Sequence, residues 1–173
     1  PDCFIVEQLC RARMKIPVFH DDQHGTAIVV GAAATNAMVV AGKRFDQIKV
    51  VSTGGGAAGI ACLNMLLKLG VKRENVWLCD LAGLVYHGRT EQMTDQKAAY
   101  AQGNTAATLA EVIVGADLFL GLSGPGVLTA EELAQEADAT VGRYSPYAVY
   151  LSGGDPGQLA AVRDAKALVH TVA

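Results

Sequence analysis

The chain has 173 residues, of which 51% are apolar, 18% charged and 6% aromatic, with 19 glycines and 5 prolines. Seventeen acidic residues against fourteen Lys and Arg leave a formal net charge of −3. This balance excludes a disordered or collagen-like chain, and no basic stripe argues for nucleic acid. A domain of this size buries roughly 70% of its unfolded surface, so it can build a core without staples.

Residues 4–14 read as a short amphipathic helix, with Phe4, Ile5, Leu9 and Met14 on one face. The run 16–19 is extended, because Pro17 disfavours helix at the residue before it. A polar knot follows, His20-Asp21-Asp22-Gln23-His24-Gly25. From Thr26 an Ala- and Val-rich helix is expected to about Val40, apolar all round and therefore buried on several sides. The longest apolar tract, 27–41, contains Thr35 and Asn36 and is too short to span a bilayer. No membrane partner is expected.

Beyond residue 48 the pattern becomes strand, helix, strand, helix. Strands are expected at 49–53, 75–80 and 118–122, with weaker ones at 147–152 and 167–172. Helices are expected at 57–69, 94–102 and 105–114, and from the capping box at 129–132 to about residue 137. That order predicts an α/β fold, a parallel sheet flanked by helices, with an N-terminal helical arm. Cys3, Cys10, Cys62 and Cys79 show no C-x-x-C spacing, so free thiols of a reducing cytoplasm are expected. The chain opens Pro1-Asp2-Cys3, without methionine and without the positive start of a secretory signal. A processed chain, or an excised piece of a longer one, is the expectation.

Gly54-Gly55-Gly56-Ala57-Ala58-Gly59 satisfies G-x-G-x-x-G between an expected strand and an expected helix. In a Rossmann-like dinucleotide fold Gly54 permits the tight turn, Gly56 lets a pyrophosphate approach, and Gly59 lets helix pack on strand. Free amides at the helix start then face the phosphates. Asp80 ends the next strand, 21 residues after Gly59, where a carboxylate accepts from the adenosine ribose hydroxyls. The alternative is a turn packed for its own sake, with Asp80 capping a loop. Small residues at 121–126 end the third strand, either as a ligand seat or as an ordinary strand-to-helix turn.

The polar knot admits four readings from its residues alone. Asp21 or Asp22 caps the long helix; His20 and His24 bind zinc, against which Gly25 and the absence of H-E-x-x-H count; His24 is a hydrogen-bonded core histidine; or a carboxylate holds a hard divalent cation.

The string I-P-V-F-H-D-D-Q-H-G-T-A at 16–27, followed by the glycine turn, closely resembles the malic enzymes, the bacterial and often NADP-linked form most of all. V-K-R-E-N-V-W at 71–77, D-L-A-G-L-V-Y-H-G-R at 80–89, T-L-A-E-V-I at 108–113 and F-L-G-L-S-G-P-G-V-L at 119–128 extend the likeness over residues 1 to about 137. The resemblance implies oxidative decarboxylation of malate to pyruvate and CO₂, with NADP or NAD and a Mg or Mn ion. It places one metal ligand at Asp22 with Asp21 behind it, and the cofactor's pyrophosphate at Gly55 to Ala58. It also implies a cytoplasmic homo-oligomer. The family's Glu-Asp metal pair and its catalytic Tyr and Lys have no counterpart here, so no catalytic residue is assigned and little malate turnover is expected of this chain alone. The family's A-N-P-x-P asparagine loop is not matched either, and residues 138–173 depart from the pattern. Asp80 favours a free ribose diol, whereas Arg89 either receives a 2′-phosphate or is a solvated loop charge. Residues 1–48 read as a metal-site segment and long helix joining a substrate domain, and 49–173 as the NAD(P)-binding domain. A substrate domain or oligomer contacts are expected to cover part of the apolar helix. Rival readings are a non-catalytic dinucleotide-binding module and another oxidoreductase sharing the cofactor fold.

Overall fold

A computed structural model describes residues 2–123 and the backbone of 139–143 and 148–152. The expected helix at 129–137, the expected strand at 167–172 and the end of the 121–126 string lie outside the described residues.

Helix α1 (Asp2–Arg13) precedes a stretch, 14–20, without helix or strand around Pro17. Helix α2 (Asp21–Ala41) starts five residues earlier than its apolar pattern indicated. His20 is extended, and its carbonyl accepts from Gln23 N–H (3.1 Å) and His24 N–H (2.9 Å), which opens the helix inside the polar knot. Gly25 lies inside it, and a Cβ there would run into the Asp21 carboxylate. At the other end Gly42 is left-handed (φ 62°), and Lys43 N–H closes on Met38 O at 3.0 Å.

Strands β1 (Val50–Thr53), β2 (Val76–Asp80) and β4 (Leu118–Gly121) run parallel, with β1 in the middle. β1 is buried along its whole length, as expected of a parallel strand covered on both faces. Helix α3 (Ala57–Lys68) makes the crossover from β1 to β2. Val50, Leu78, Leu118 and Leu120 turn to one face, where they pack with Leu63 and Leu66 of α3 and Ala34 and Met38 of α2. Val51, Cys79 and Phe119 turn to the other, against Leu84, Val112 and Ile113. The short helices α4 (Asp95–Ala98) and α5 (Leu109–Ile113) follow β2; α5 is shorter than expected because Thr108 is its cap, in a capping box with Glu111.

The sheet is mixed rather than parallel throughout, in the order β3-β2-β1-β4-β6-β5. β3 (Gly83–Leu84) returns antiparallel on β2, since Leu81 and Ala82 are too few for a crossover. β6 (Ala148–Ser152) lies antiparallel on β4 and pairs with β5 (Ala139–Arg143), a strand the sequence reading did not anticipate. Asp117 fastens β4 beside β1 by accepting from Lys49 N–H (2.7 Å) and Lys43 Nζ (2.6 Å).

At 21 residues α2 is long and apolar enough to cross a membrane by length and composition, a correction to the shorter tract expected. Ala27, Val30, Ala34, Ala37 and Met38 are nevertheless buried at helical spacing, and Met65 of α3 comes within 2.9 Å of where a Cβ on Gly31 would lie. That is one face of a core helix. Ile28, Val29 and Val39 on the remaining surface are exposed.

Candidate functional site

The chain leaves β1 for β2 on one side and reaches β4 on the other, so the carboxyl ends of β1 and β4 diverge at a topological switch point. Open α/β sheets bind ligands in the crevice at such a point. The glycine turn lies there, and each glycine has its own reason. Gly54 has φ 100°, and a Cβ on it would meet Leu122 O at 2.7 Å. A Cβ on Gly59 would run into the Gly54 carbonyl, whereas one on Gly56 would meet nothing within 4 Å. The strand-to-helix joint is therefore closed at Gly54 and Gly59 and open at Gly56. Gly56 is the N-cap of α3; no side chain caps it and no acidic residue occupies the first turn, so the positive end of the helix is unscreened. Ala57 and Ala58 form that first turn.

A cavity of about 340 Å³ opens at this point, lined by Gly54, Gly55, Gly56, Asp80, Leu81, Gln92, Thr94, Lys97 and Ser123. It joins the turn, the acid and the third strand's end. Leu81, 90% exposed, offers an apolar rim beside Asp80.

Asp80 does not present a free carboxylate. Its side chain is 7% exposed. Arg89 donates to both oxygens (2.7 and 2.8 Å), Lys97 Nζ to Oδ2 (2.7 Å) and Ala82 N–H to Oδ1 (3.0 Å). All four acceptor positions are thereby used. Burial alone raises the pKa of this carboxyl, but the hydrogen bonds from Lys97 and Arg89 outweigh it and hold it below the ordinary value.

Arg89 is neither an open phosphate receptor nor a solvated loop charge. Its side chain is 3% exposed, and besides Asp80 it donates to Glu91 O (2.9 Å), Gly83 O (3.2 Å) and Leu84 O (3.0 Å). All five N–H groups are committed. Lys97 was missed by the sequence reading. Its stem lies over Gly55, where a Cβ would be 2.5 Å from its Cε, and its ammonium also reaches Gln92 O at 2.7 Å. Gln92 has φ 51°, the one positive value at a non-glycine among the described residues. The only local signal for Lys97 is the Thr94 cap, whose hydroxyl accepts from Lys97 N–H at 3.3 Å.

The polar knot lies apart from this cavity's lining. Neither Asp21 nor Asp22 is the cap: both stand in the first turn of α2 behind His20, where their charge favours the helix dipole. His24 Nε2 donates to Glu7 Oε1 of α1 at 2.6 Å, Gln23 donates to Glu7 Oε2 at 3.0 Å, and His20 Nδ1 accepts from Gln23 at 2.6 Å. Burial works to raise the Glu7 pKa, but the His24 hydrogen bond and the nearby Arg11 guanidinium help bring it below the usual value. Histidines engaged in this way fit the hydrogen-bonded reading and not zinc. Asp22 points outward, 76% exposed, with His20 Nε2 3.8 Å away. Among the described residues no three His, Cys, Asp or Glu side chains converge to hold a metal. A hard divalent cation takes about six oxygens, and the described residues do not bring together such a set.

Cys62 and Cys79 are buried free thiols pushed up to about 12 by burial, and Cys3 and Cys10 are half-buried and free. Cys62 and Cys79 are therefore inert at neutral pH.

A glycine turn at a switch point, an open helix N-terminus and an acid at the end of the neighbouring parallel strand define a dinucleotide-binding α/β domain. Comparison with known proteins makes this specific. Residues 23–168 match the family described as malic enzyme, NAD binding domain, and the chain belongs to that family. It is 54% identical over 138 residues to an NAD-dependent malic enzyme of Rhizobium meliloti and 50% identical over 140 residues to an NADP-dependent malic enzyme of Escherichia coli. Each alignment covers 80% of this chain and 18% of the relative, so the chain spans about a fifth of these proteins. Among solved structures, the NAD-dependent malic enzyme of Thermotoga maritima superposes with TM-score 0.69 at 37% identity, covering 78% of this chain and 36% of that one. The malic enzyme of Entamoeba histolytica superposes with TM-score 0.70 at 31% identity, covering 77% and 29%.

Proposed function

We propose that this chain binds NAD(P) for an enzyme that oxidises malate and decarboxylates it to pyruvate and CO₂. The observation that carries the reading is the turn open at Gly56, beneath the uncapped start of α3, in a chain half identical to malic enzymes. In this reading Gly54, Gly55, Gly56, Ala57, Ala58 and Gly59 receive the pyrophosphate. Asp80 stands at the adenosine ribose, where a ribose hydroxyl gains an acceptor only by displacing Lys97 or Ala82 N–H. Residues 1–48 contribute a face toward a substrate domain and 49–173 the nucleotide fold. Because α2 shares a core with α3, the division separates surfaces rather than cores. Asp22 is one carboxylate ligand of a Mg or Mn ion whose other ligands are not among the described residues. The enzyme is read as a cytoplasmic homo-oligomer.

For the cofactor we favour NADP. Arg89 is closed, which leaves Lys97 as the cation of the cavity, with a third N–H beyond its bonds to Asp80 and Gln92. A 2′-phosphate gives that ammonium a second anionic partner. Titrating the purified chain with NADPH and NADH is the test, using the dinucleotides' own fluorescence. Lys97→Ala is expected to weaken NADPH roughly tenfold and leave NADH nearly unchanged, the size of one hydrogen bond to a charged group. Equal effects on both would remove the NADP preference, and no binding of either would remove the nucleotide reading. Replacing Asp22 by Ala in a full-length protein is expected to abolish metal-dependent turnover while NADPH binding persists.

A further inference from the structure

Thr53 ends β1 and immediately precedes Gly54. Its Oγ1 is buried without a hydrogen-bond partner, the one such side-chain atom among the described residues. The residue is 3% exposed. The neighbouring hydroxyl shows how readily this strand satisfies such a group: Ser52, on the opposite face of β1, donates to Leu120 O at 3.1 Å. Buried hydroxyls without partners are rare because each carries an uncompensated loss of hydration, so an exception needs a reason. The main chain around Thr53 is already committed. Its carbonyl accepts from Leu122 N–H, and Gly54 N–H donates to Cys79 O, both at 2.9 Å. In the sheet register Thr53 lies between Cys79 and Gly121, and Gly121 brings no side chain to that flank. Thr53 is not itself in the cavity lining, but it is one residue from Gly54 and pairs in the register with Gly121, two residues before Ser123, and both Gly54 and Ser123 line the cavity.

We propose that Thr53 is a cofactor-binding residue whose hydroxyl donates a hydrogen bond to a diphosphate oxygen of the dinucleotide. The proposal rests on the nucleotide reading above and assigns it a further ligand-contacting side chain. An anionic oxygen is the acceptor that best compensates a buried hydroxyl, since charge-assisted bonds are shorter and stronger than neutral ones. The free chain retains the unpaired group, and the bound state pairs it.

Thr53→Val removes the hydroxyl and keeps the shape, and Thr53→Ser keeps the hydroxyl. The test is titration of the 173-residue wild-type chain and both variants with NADPH by fluorescence and with ADP by calorimetry, beside thermal melts without ligand. Thr53→Val is expected to melt no lower than wild type and to lose roughly tenfold or more in affinity for both ligands, with Thr53→Ser close to wild type. Wild-type affinity in Thr53→Val, or a loss confined to NADPH, overturns the diphosphate contact. A clearly lower melting temperature, or a failure to fold, overturns it as well, because it shows that the hydroxyl has a partner in the free chain. A wild-type chain that binds neither ligand overturns the nucleotide reading instead.

Discussion

The glycine turn separates what one added atom does at two positions four residues apart. A Cβ on Gly59 meets backbone that cannot move without undoing the turn, whereas one on Gly55 meets the far end of the Lys97 side chain. Gly59→Ala is therefore expected to cost more than about 2 kcal/mol and to abolish dinucleotide binding, and Gly55→Ala to fold normally while pushing Lys97 away from Asp80. Urea unfolding of the two variants, together with NADPH titration, checks the contrast. Asp80 and Arg89 are likewise coupled. Asp80→Asn leaves the buried guanidinium without its counter-charge and is expected to cost about 3–5 kcal/mol at pH 7. The Asp80 carboxyl is held below its ordinary value in the folded state, so its contribution is complete above the unfolded pKa and is lost as pH falls through the folded one. Wild type should lose stability more steeply than Asp80→Asn between about pH 4 and the folded pKa, and parallel curves would contradict the pairing. Asp80 lines the cavity with its carboxylate already engaged. Its partners were illegible because Arg89 reaches it across a tight turn and Lys97 from a four-residue helix, spacings that no periodicity encodes.

At the scale of elements, α2 illustrates how an apolar helix divides between a core and a surface. The buried Ala34 and the exposed Val29 belong to the same uniformly apolar stretch, and only packing on α3 tells them apart. Ala34→Leu is expected to cost about 1–3 kcal/mol through overpacking, and Val29→Ser to change stability by no more than about 0.5 kcal/mol. Denaturant melts measure both; a large loss from Val29→Ser would mean that this face is covered in the folded chain. The helix starts were no easier to place. Thr108 and Glu111 form a capping box that opens α5 four residues later than the start expected at 105, while His20 opens α2 with no side-chain cap at all. A helix that starts through backbone geometry and Asp21 packed on Gly25 leaves no sequence signature for its first turn. The antiparallel edges escaped for a related reason: alternation marks a strand but not its direction, which depends on the length and path of the connection.

For the whole molecule, ligand linkage gives a further test. A dinucleotide at about a hundred times its Kd stabilises the folded chain by about 2.7 kcal/mol, so a thermal melt with saturating NADPH should shift upward by several degrees, and AMP at equal concentration by less. The purified 173-residue chain is expected to show that shift and yet produce no NADPH from malate and NADP, since the described residues bring together no metal-holding set. Malate-dependent NADPH production by this chain alone would contradict that. The amino-acid sequence by itself determined the alternation of the three parallel strands with their helices, the glycine turn and the family, because these depend on short-range spacing and on residue types with one backbone role. Tertiary structure alone decided that Asp80 is saturated, that Arg89 is internal, that Lys97 faces the turn and that Thr53 keeps an unpaired hydroxyl. Each of these depends on side chains brought together from separate segments, where distance and burial rather than spacing set the outcome.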